Sequence, residues 1–436
     1  MRSPTELVAL LDGSLVGHVR QDLRGRLGFS YDDGWRELRG AYPLSLSMPL
    51  ARREHPDAVI RPYLEGLLPD NEAILARWGT RFQASPRNPF ALLAYVGEDC
   101  PGAVQLVPPP RLAELRAGAE PPVAWLSEAQ VGERLRELRT SNATGRNESD
   151  PGYFSLPGAQ PKTALLYEDG RWGVPSGRTP TTHILKPPGG NFDGFAENEH
   201  LCLRLAAAVG LPATRSQVCR FAGEVAIVVE RYDRISIDGR RVRVHQEDFC
   251  QALGISPHVK YEAEGGPGVA AMAEVLRAFS SAPGEDVDTL LGALALSWAI
   301  AGTDAHAKNY SLLIAGGQVR LAPLYDVASV LPYPERIPPR EARLAMRIGR
   351  EYSLRKIGRR HWERLGEEVG IGAEAALERV RAMVRLVPGA LAEVCASARS
   401  EDIDHPVVAR LESGIAKHAA ACLAALDHRG RSADLP

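Results

Sequence analysis

Asp304 and Asn309 stand five residues apart in Thr303-Asp304-Ala305-His306-Ala307-Lys308-Asn309, between an apolar run and the strand-like segment Tyr310-Ser311-Leu312-Leu313-Ile314. A carboxylate there can orient a hydroxyl group and accept its proton, and an asparagine oxygen close by can serve as a neutral ligand for Mg²⁺. This is the Asp-x-x-x-x-Asn spacing of kinase catalytic loops. Seventeen residues after Asn309 comes Leu324-Tyr325-Asp326-Val327. Asp326 stands where the kinase Asp-Phe-Gly aspartate stands, although the Phe and Gly are absent. Taken singly, Asp304 also suits a helix cap, Asn309 a turn and Asp326 a surface turn. Together, at this spacing, they point to Mg²⁺-assisted phosphoryl transfer from ATP.

Upstream, Ser155-Leu156-Pro157-Gly158-Ala159-Gln160-Pro161-Lys162-Thr163 lacks the Gly-x-x-x-x-Gly-Lys-Ser/Thr pattern of a P-loop. The amides of Gly158, Ala159 and Gln160 can cradle phosphates, and Lys162 can add charge; a plain β-turn also accounts for the segment. Gly158 and Gln160 leave the loop few apolar anchors, so it is expected to be able to swing outward. Lys186 closes the strand Thr181–Lys186, where a kinase lysine pairs the α/β-phosphates with a helix glutamate. Glu197 or Glu199, opening the next helix, is the partner, or serves the helix dipole alone. Glu230-Arg231-Tyr232-Asp233 follows the next strand; Glu230 and Tyr232 are expected at the adenine edge. His306 either contacts phosphate or braces the catalytic loop.

These groups need a scaffold, and the pattern supplies one. Leu7–Leu11, an Asp12-Gly13 turn, Leu15–Val19, then Leu27, Phe29 and Tyr31 read as strands, as does the alternating Leu44–Met48 closed by Pro49. Trp125 to Leu138 has helical spacing, and Ser141 to Gly152 is a polar, turn-rich connection. Thr163–Tyr167 and Trp172–Pro175 flank an Asp169-Gly170 turn. Glu197–Val209 is a helix ended by Gly210, Val225–Glu230 a strand, and from Val287 the chain is mostly helical, broken by a strand pair around Tyr310 to Leu321. Strands with one helix followed by helices is the layout of a two-lobed kinase, with nucleotide between the lobes. The expected class is α+β: an N-terminal subdomain at 1–110, a linker with a connecting helix at 111–153, an ATP-binding lobe at 154–232 and a mostly helical lobe at 233–436.

The chain has 436 residues and a formal net charge of −2, which argues against a protein that mainly coats nucleic acid. Its six cysteines form no Cys-x-x-Cys pair and read as buried, reduced thiols. The N-terminus shows no signal peptide, and Leu290–Ala301 is too short and too broken to span a bilayer. A cytoplasmic protein with no membrane partner is the expectation.

In order along nearly the whole chain, many segments resemble the HipA family. Pro43–Leu50, Leu64–Asn71 and Asp99–Gln105 are similar to its N-terminal subdomain. Ser155–Lys162, Thr179–Lys186 and Glu197-Asn198-Glu199 are similar to its ATP-binding half, and Gln246–Gln251, Lys260-Tyr261-Glu262, Gly302–Asn309 and Tyr325-Asp326 to its helical half. The resemblance implies a serine/threonine kinase of two-lobed fold, the toxin of a toxin–antitoxin pair. Its antitoxin would be a small helix-turn-helix repressor (HipB-like) that holds it on operator DNA. Its substrate would be a translation component such as an aminoacyl-tRNA synthetase, glutamyl-tRNA synthetase first, leading to growth arrest and persistence. By the same resemblance Asp304 is the catalytic base, Asn309 and Asp326 the Mg²⁺ ligands, Lys186 the ATP lysine and Ser155 an autophosphorylation site. Two other readings stay open: a small-molecule or lipid kinase of related fold, and a non-catalytic co-repressor bound to a helix-turn-helix partner.

Overall fold

The computed structural model describes residues 5–117, 123–141, 154–176, 179–189 and 192–428. Helices and sheets are mixed throughout. By internal contacts the chain divides into two units: residues 1–189, 219–258 and 312–319, and residues 190–218, 259–311 and 320–436. Asn142 to Gly152, expected as a connecting loop, and Pro121-Pro122 lie outside the described residues.

The first unit opens with a five-stranded antiparallel sheet in the order Glu54–Pro56, Leu27–Tyr31, Ser14–Gln21, Glu6–Leu11, Val104–Val107. Its first hairpin turns on Asp12 and Gly13, both at positive φ (45° and 81°), the backbone a two-residue primed turn demands. Leu7, Phe29, Tyr31, Tyr63, Trp78 and Phe90 close one core on this sheet. Leu44–Met48 is not a strand. Its apolar residues are buried, but its backbone bonds to side chains: Leu44 N–H donates to Tyr31 Oη (2.8 Å), Leu46 N–H to Glu247 Oε1 (2.8 Å), and Tyr31 O–H to the Met48 carbonyl (2.5 Å). Alternation here records a wrapped loop, not a ladder.

A second sheet has the order Ser216–Phe221, Glu224–Glu230, His183–Lys186, Thr163–Glu168, Arg171–Val174, Ala124–Leu126. Trp125 thus belongs to an edge strand, and the helix expected from Trp125 starts only at Glu128. That helix, Glu128–Ser141, lays Val131, Leu135 and Leu138 on Leu165, Leu185 and Val228. A Cβ at Gly132 would sit 2.5 Å from the Phe221 carbonyl, so the helix approaches the sheet as only glycine permits. The loop before the sheet does have apolar anchors: Leu156 packs with Phe154, Ala164 and Ile184.

The second unit holds the helices Phe195–Ala208, Val269–Phe279, Pro283–Ala299, Arg359–Glu368, Ala373–Ser400 and Pro406–Asp427. Pro283–Ala299 is its central helix. Leu290 to Ala301 is apolar on nearly all sides because it is almost wholly buried, with Trp298 against Trp362 at 5.5 Å. Among the described residues no helix is long and apolar enough to cross a membrane. All six thiols are free; five are buried and Cys219 is half-buried.

Candidate functional site

The catalytic-loop candidates lie in the second unit, where the central helix runs out. Gly302 N–H donates back to the Ser297 carbonyl (2.7 Å) and Ala301 takes φ +53°, so the chain leaves the helix sharply. The Asp304 carbonyl then gathers two donors, the His306 amide (2.8 Å) and Asn309 Nδ2 (2.8 Å). This folds Asp304–Asn309 into one compact turn. Because the Asn309 amide nitrogen is spent on that bond, its Oδ1 is the acceptor left for a cation. The Asp304 side chain is exposed, and its Oδ1 accepts from Tyr261 O–H at 2.7 Å. His306 is buried, its ring edge-on to Tyr261 at 4.9 Å.

Asp326 arrives on a second strap of the same unit. Tyr325 O–H donates to the Lys308 carbonyl (2.7 Å) and shares a hydrogen bond with Ser311 Oγ (2.6 Å). The residues just before Asp326 and Asn309 are therefore tied together, which anchors the strap that carries Asp326 to the turn that carries Asn309. The strap is pinned at both ends. Thr214 N–H donates to Leu324 O (2.9 Å) and Leu324 N–H to Pro212 O (2.8 Å). Beyond it, buried Asn198 clamps Ser329, donating to its carbonyl (2.8 Å) and accepting from its amide (3.0 Å). Asp326 itself sits at φ +53°, a conformation costly for a non-glycine residue and frequent at functional sites. Glu197 and Glu199, either side of Asn198, are both buried; Glu197 Oε2 has no hydrogen-bond partner among the described residues. Among the described residues no three His, Cys, Asp or Glu side chains converge as a metal cage. Mg²⁺ commonly takes only one or two protein carboxylates, with phosphate oxygens and waters, and the donor set of Asn309 and Asp326 fits it.

The phosphate-side candidates lie in the first unit. Lys186 is buried at the end of a central strand, paired in register with Ile227 on one side, while Glu230 pairs with His183. Period-two alternation then sets Lys186 and Glu230 on opposite faces of the sheet. Glu230 is exposed and Tyr232 half-buried, with Tyr232 O–H donating to Gln246. The loop Ser155–Lys162 is seated on Leu67–Asn71: Ser155 O–H donates to Leu67 O (2.7 Å), Asp70 N–H to Gly158 O (3.2 Å), and Asn71 Nδ2 to Ala159 O (3.5 Å). Lys162 Nζ donates to Pro157 O (2.6 Å) and Gln160 Nε2 to Pro187 O (3.2 Å). Gly158 has φ +104°, a backbone conformation that strains any residue with a side chain.

Behind this loop lies a buried ion network that sequence reasoning missed. Arg231 grips Asp233 with two nitrogens (3.1 and 2.8 Å), Arg234 bridges Asp99 (2.8 Å) and Asp233 (3.0 Å), and Thr181 donates to Asp99 Oδ2 through its amide (3.0 Å) and hydroxyl (2.6 Å). The Asp99 carbonyl receives the Ser155 amide (3.0 Å), so the network also fixes where the Ser155–Lys162 loop begins. Burial raises the pKa of the Asp99 carboxyl, but Arg234, Arg231 and Arg243 outweigh it and hold the group far below the usual range. Tyr261 and Asn198 stand in segments that carry the resemblance, but their roles were missed as well. No local spacing marks them, because their partners lie far along the chain.

The comparisons agree with this architecture. Residues 7–107 match the model of the HipA N-terminal domain, and residues 154–391 that of the HipA-like C-terminal domain. The chain is 38% identical to the kinase homologue Y4mE of Sinorhizobium fredii over 88% of its own length and 90% of that protein. It is 28% identical to the serine/threonine-protein kinase toxin HipA of Shewanella oneidensis, covering 84% of this chain and 83% of the toxin. It superposes on the structure of the Shewanella HipA, solved with HipB and its operator DNA, with a TM-score of 0.79 and 25% identity over 96% of both chains. On the two matched domains and the near full-length relatives, the chain belongs to the HipA family of kinases.

Proposed function

We propose that the chain is an ATP- and Mg²⁺-dependent serine/threonine protein kinase and the toxin of a HipA/HipB-like module. The observation that supports this most is the hydrogen-bonded frame in which Asn309 bonds the Asp304 carbonyl and Tyr325 bonds the Lys308 carbonyl. In this reading the exposed Asp304 carboxylate accepts the hydrogen bond of a serine or threonine hydroxyl. It orients the oxygen toward the γ-phosphorus and takes the proton as the new P–O bond forms; the bond from the γ-phosphorus to its bridging oxygen breaks and ADP leaves. Asn309 Oδ1 and the Asp326 carboxylate would hold Mg²⁺, which supplies charge neutralisation to the phosphates. Lys186 contributes an ammonium to the α/β-phosphates, the Gly158–Lys162 segment cradles phosphate, and the backbone from Glu230 to Tyr232 borders the base.

The partner is a HipB-like helix-turn-helix antitoxin, with DNA met through it. The substrate is a translation component, an aminoacyl-tRNA synthetase such as glutamyl-tRNA synthetase as first candidate. Ser155 is the self-modification site. Its hydroxyl is buried against Leu67, so the loop must leave its seat to be modified. A phosphate carrying about −1.5 to −2 charges cannot return to a buried seat whose hydrogen-bond partner is the Leu67 carbonyl, an acceptor that would face acceptor oxygens. Modification therefore switches ATP binding off. Incubating the purified chain with labelled Mg·ATP, mapping phosphoserine and measuring ATP affinity of each form tests this. Label on Ser155 with lost ATP affinity supports it; no label on any serine or threonine of the chain or of added cell protein refutes the kinase reading.

A further inference from the structure

We infer that Tyr261, carried on the loop Val259–Gly268, is a positioning residue that fixes the rotamer of the Asp304 carboxylate; the inference rests on Asp304 being the base. Asp304 lies exposed on a turn, where its carboxylate would sample several rotamers. Among the described residues the one side chain that hydrogen-bonds it is Tyr261, whose hydroxyl donates to Oδ1 at 2.7 Å. That leaves Oδ2 to accept a substrate hydroxyl. A base held in one orientation loses no entropy when the substrate arrives.

The loop is built to hold the tyrosine still. The Tyr261 carbonyl accepts two amides, from Glu264 (3.0 Å) and Gly266 (3.0 Å), which closes the loop on itself. Closure needs glycine. Gly265 takes φ +97°, and a Cβ on Gly266 would meet the backbone oxygens of Val259 at 2.1 Å and Tyr261 at 2.8 Å. Glu262, the next residue, is tied to Arg347 through its backbone amide (2.8 Å) and Nε (2.8 Å). The Tyr261 ring stands edge-on to buried His306 at 85°, so ring and hydroxyl are both fixed against the catalytic turn. A tyrosine merely covering the surface needs neither this closure nor a carboxylate partner.

The test compares wild type, Tyr261→Phe, Asp304→Asn and the double variant in Mg·ATP turnover, read as ADP formed. Phenylalanine keeps the ring contact with His306 and removes the hydroxyl. The inference expects Tyr261→Phe to lower kcat about tenfold, with ATP KM and melting temperature unchanged, and to cost nothing further in the Asp304→Asn background. Glu262→Gln, which leaves the hydroxyl in place but weakens the loop's tie to Arg347, should give a smaller kcat loss of the same kind, and it carries the test if Tyr261→Phe folds poorly. Wild-type kcat in Tyr261→Phe, or the same proportional loss with and without Asp304, overturns the positioning role and leaves the kinase reading intact. Wild-type turnover in Asp304→Asn overturns both.

Discussion

Replacing Asp99 by Asn should unlock the buried network of the first unit. The isosteric amide keeps one acceptor for the Thr181 amide and hydroxyl (3.0 and 2.6 Å), but removes the charge that faces Arg234 at 2.8 Å, Arg231 at 3.4 Å and Arg243 at 3.6 Å. Arg231 and Arg234 are then left to Asp233, and Arg243 loses the carboxylate beside it, all in a buried site. Removing one partner of a buried ion pair costs about 3–5 kcal/mol, and the retained acceptor argues for the lower end, about 3 kcal/mol. The chain has two contact units, so one global unfolding energy is not well defined. Hydrogen exchange is the better assay: a loss of about 3 kcal/mol lowers protection roughly a hundredfold in peptides covering Asp99–Val107 and Glu224–Arg243. The sign with pH follows from the depressed carboxyl. Its contribution is complete above the ordinary aspartate range and is lost only as pH falls toward the folded-state pKa, so the deficit of Asp99→Asn should be constant from about pH 5 to 8 and shrink in stronger acid. The Ser155 amide hangs on the Asp99 carbonyl, so ATP affinity should fall too. Protection within tenfold of wild type would refute the claim that this network holds the unit together.

Three further changes test other parts. Asp326→Asn should abolish Mg·ATP turnover, a loss of at least a hundredfold, while circular dichroism and melting stay near wild type, because the side chain is half-exposed and asparagine tolerates the φ of +53° as aspartate does. Lys186→Met, measured by ATP titration, should weaken binding at least tenfold with the sheet intact, since an apolar side chain of similar length fills the same buried strand end. Glu247 is pushed up to about 8 by burial, well above the ordinary glutamate value of about 4.5, so between those values the folded state holds a proton that the unfolded state has lost. Stability should fall as pH rises through that window. Glu247→Gln should remove the slope and raise the melting temperature at pH 8 but not at pH 4.5.

Local chemistry was legible where one short segment decides the outcome. The Asp12-Gly13 and Asp169-Gly170 turns, the helix stopped by Gly210, and the central apolar helix could all be read from spacing, because φ sign and side-chain period are properties of neighbours. So could the turn from Asp304 to Asn309, whose closing bond spans five residues. A third Asp-Gly turn at Asp238-Gly239, joining Arg234–Ile237 to Arg240–Arg243, carried the same signal and went unread. Leu44–Met48 misled because burial of alternate residues does not tell whether the amides meet a strand or side chains 13 and 201 residues away. The Asn198 clamp on Ser329 and the Tyr261 bond to Asp304 span 131 and 43 residues, and nothing in either local sequence announces them.

Expressing the wild-type chain and Asp304→Asn in parallel, each with matched abundance, and comparing their phosphoproteomes tests the central claim most directly. The kinase account predicts new phosphoserine or phosphothreonine sites, on translation proteins and on Ser155 of the chain itself, that appear with wild type and vanish with the variant. Identical phosphoproteomes, or the same new sites in both, would contradict it.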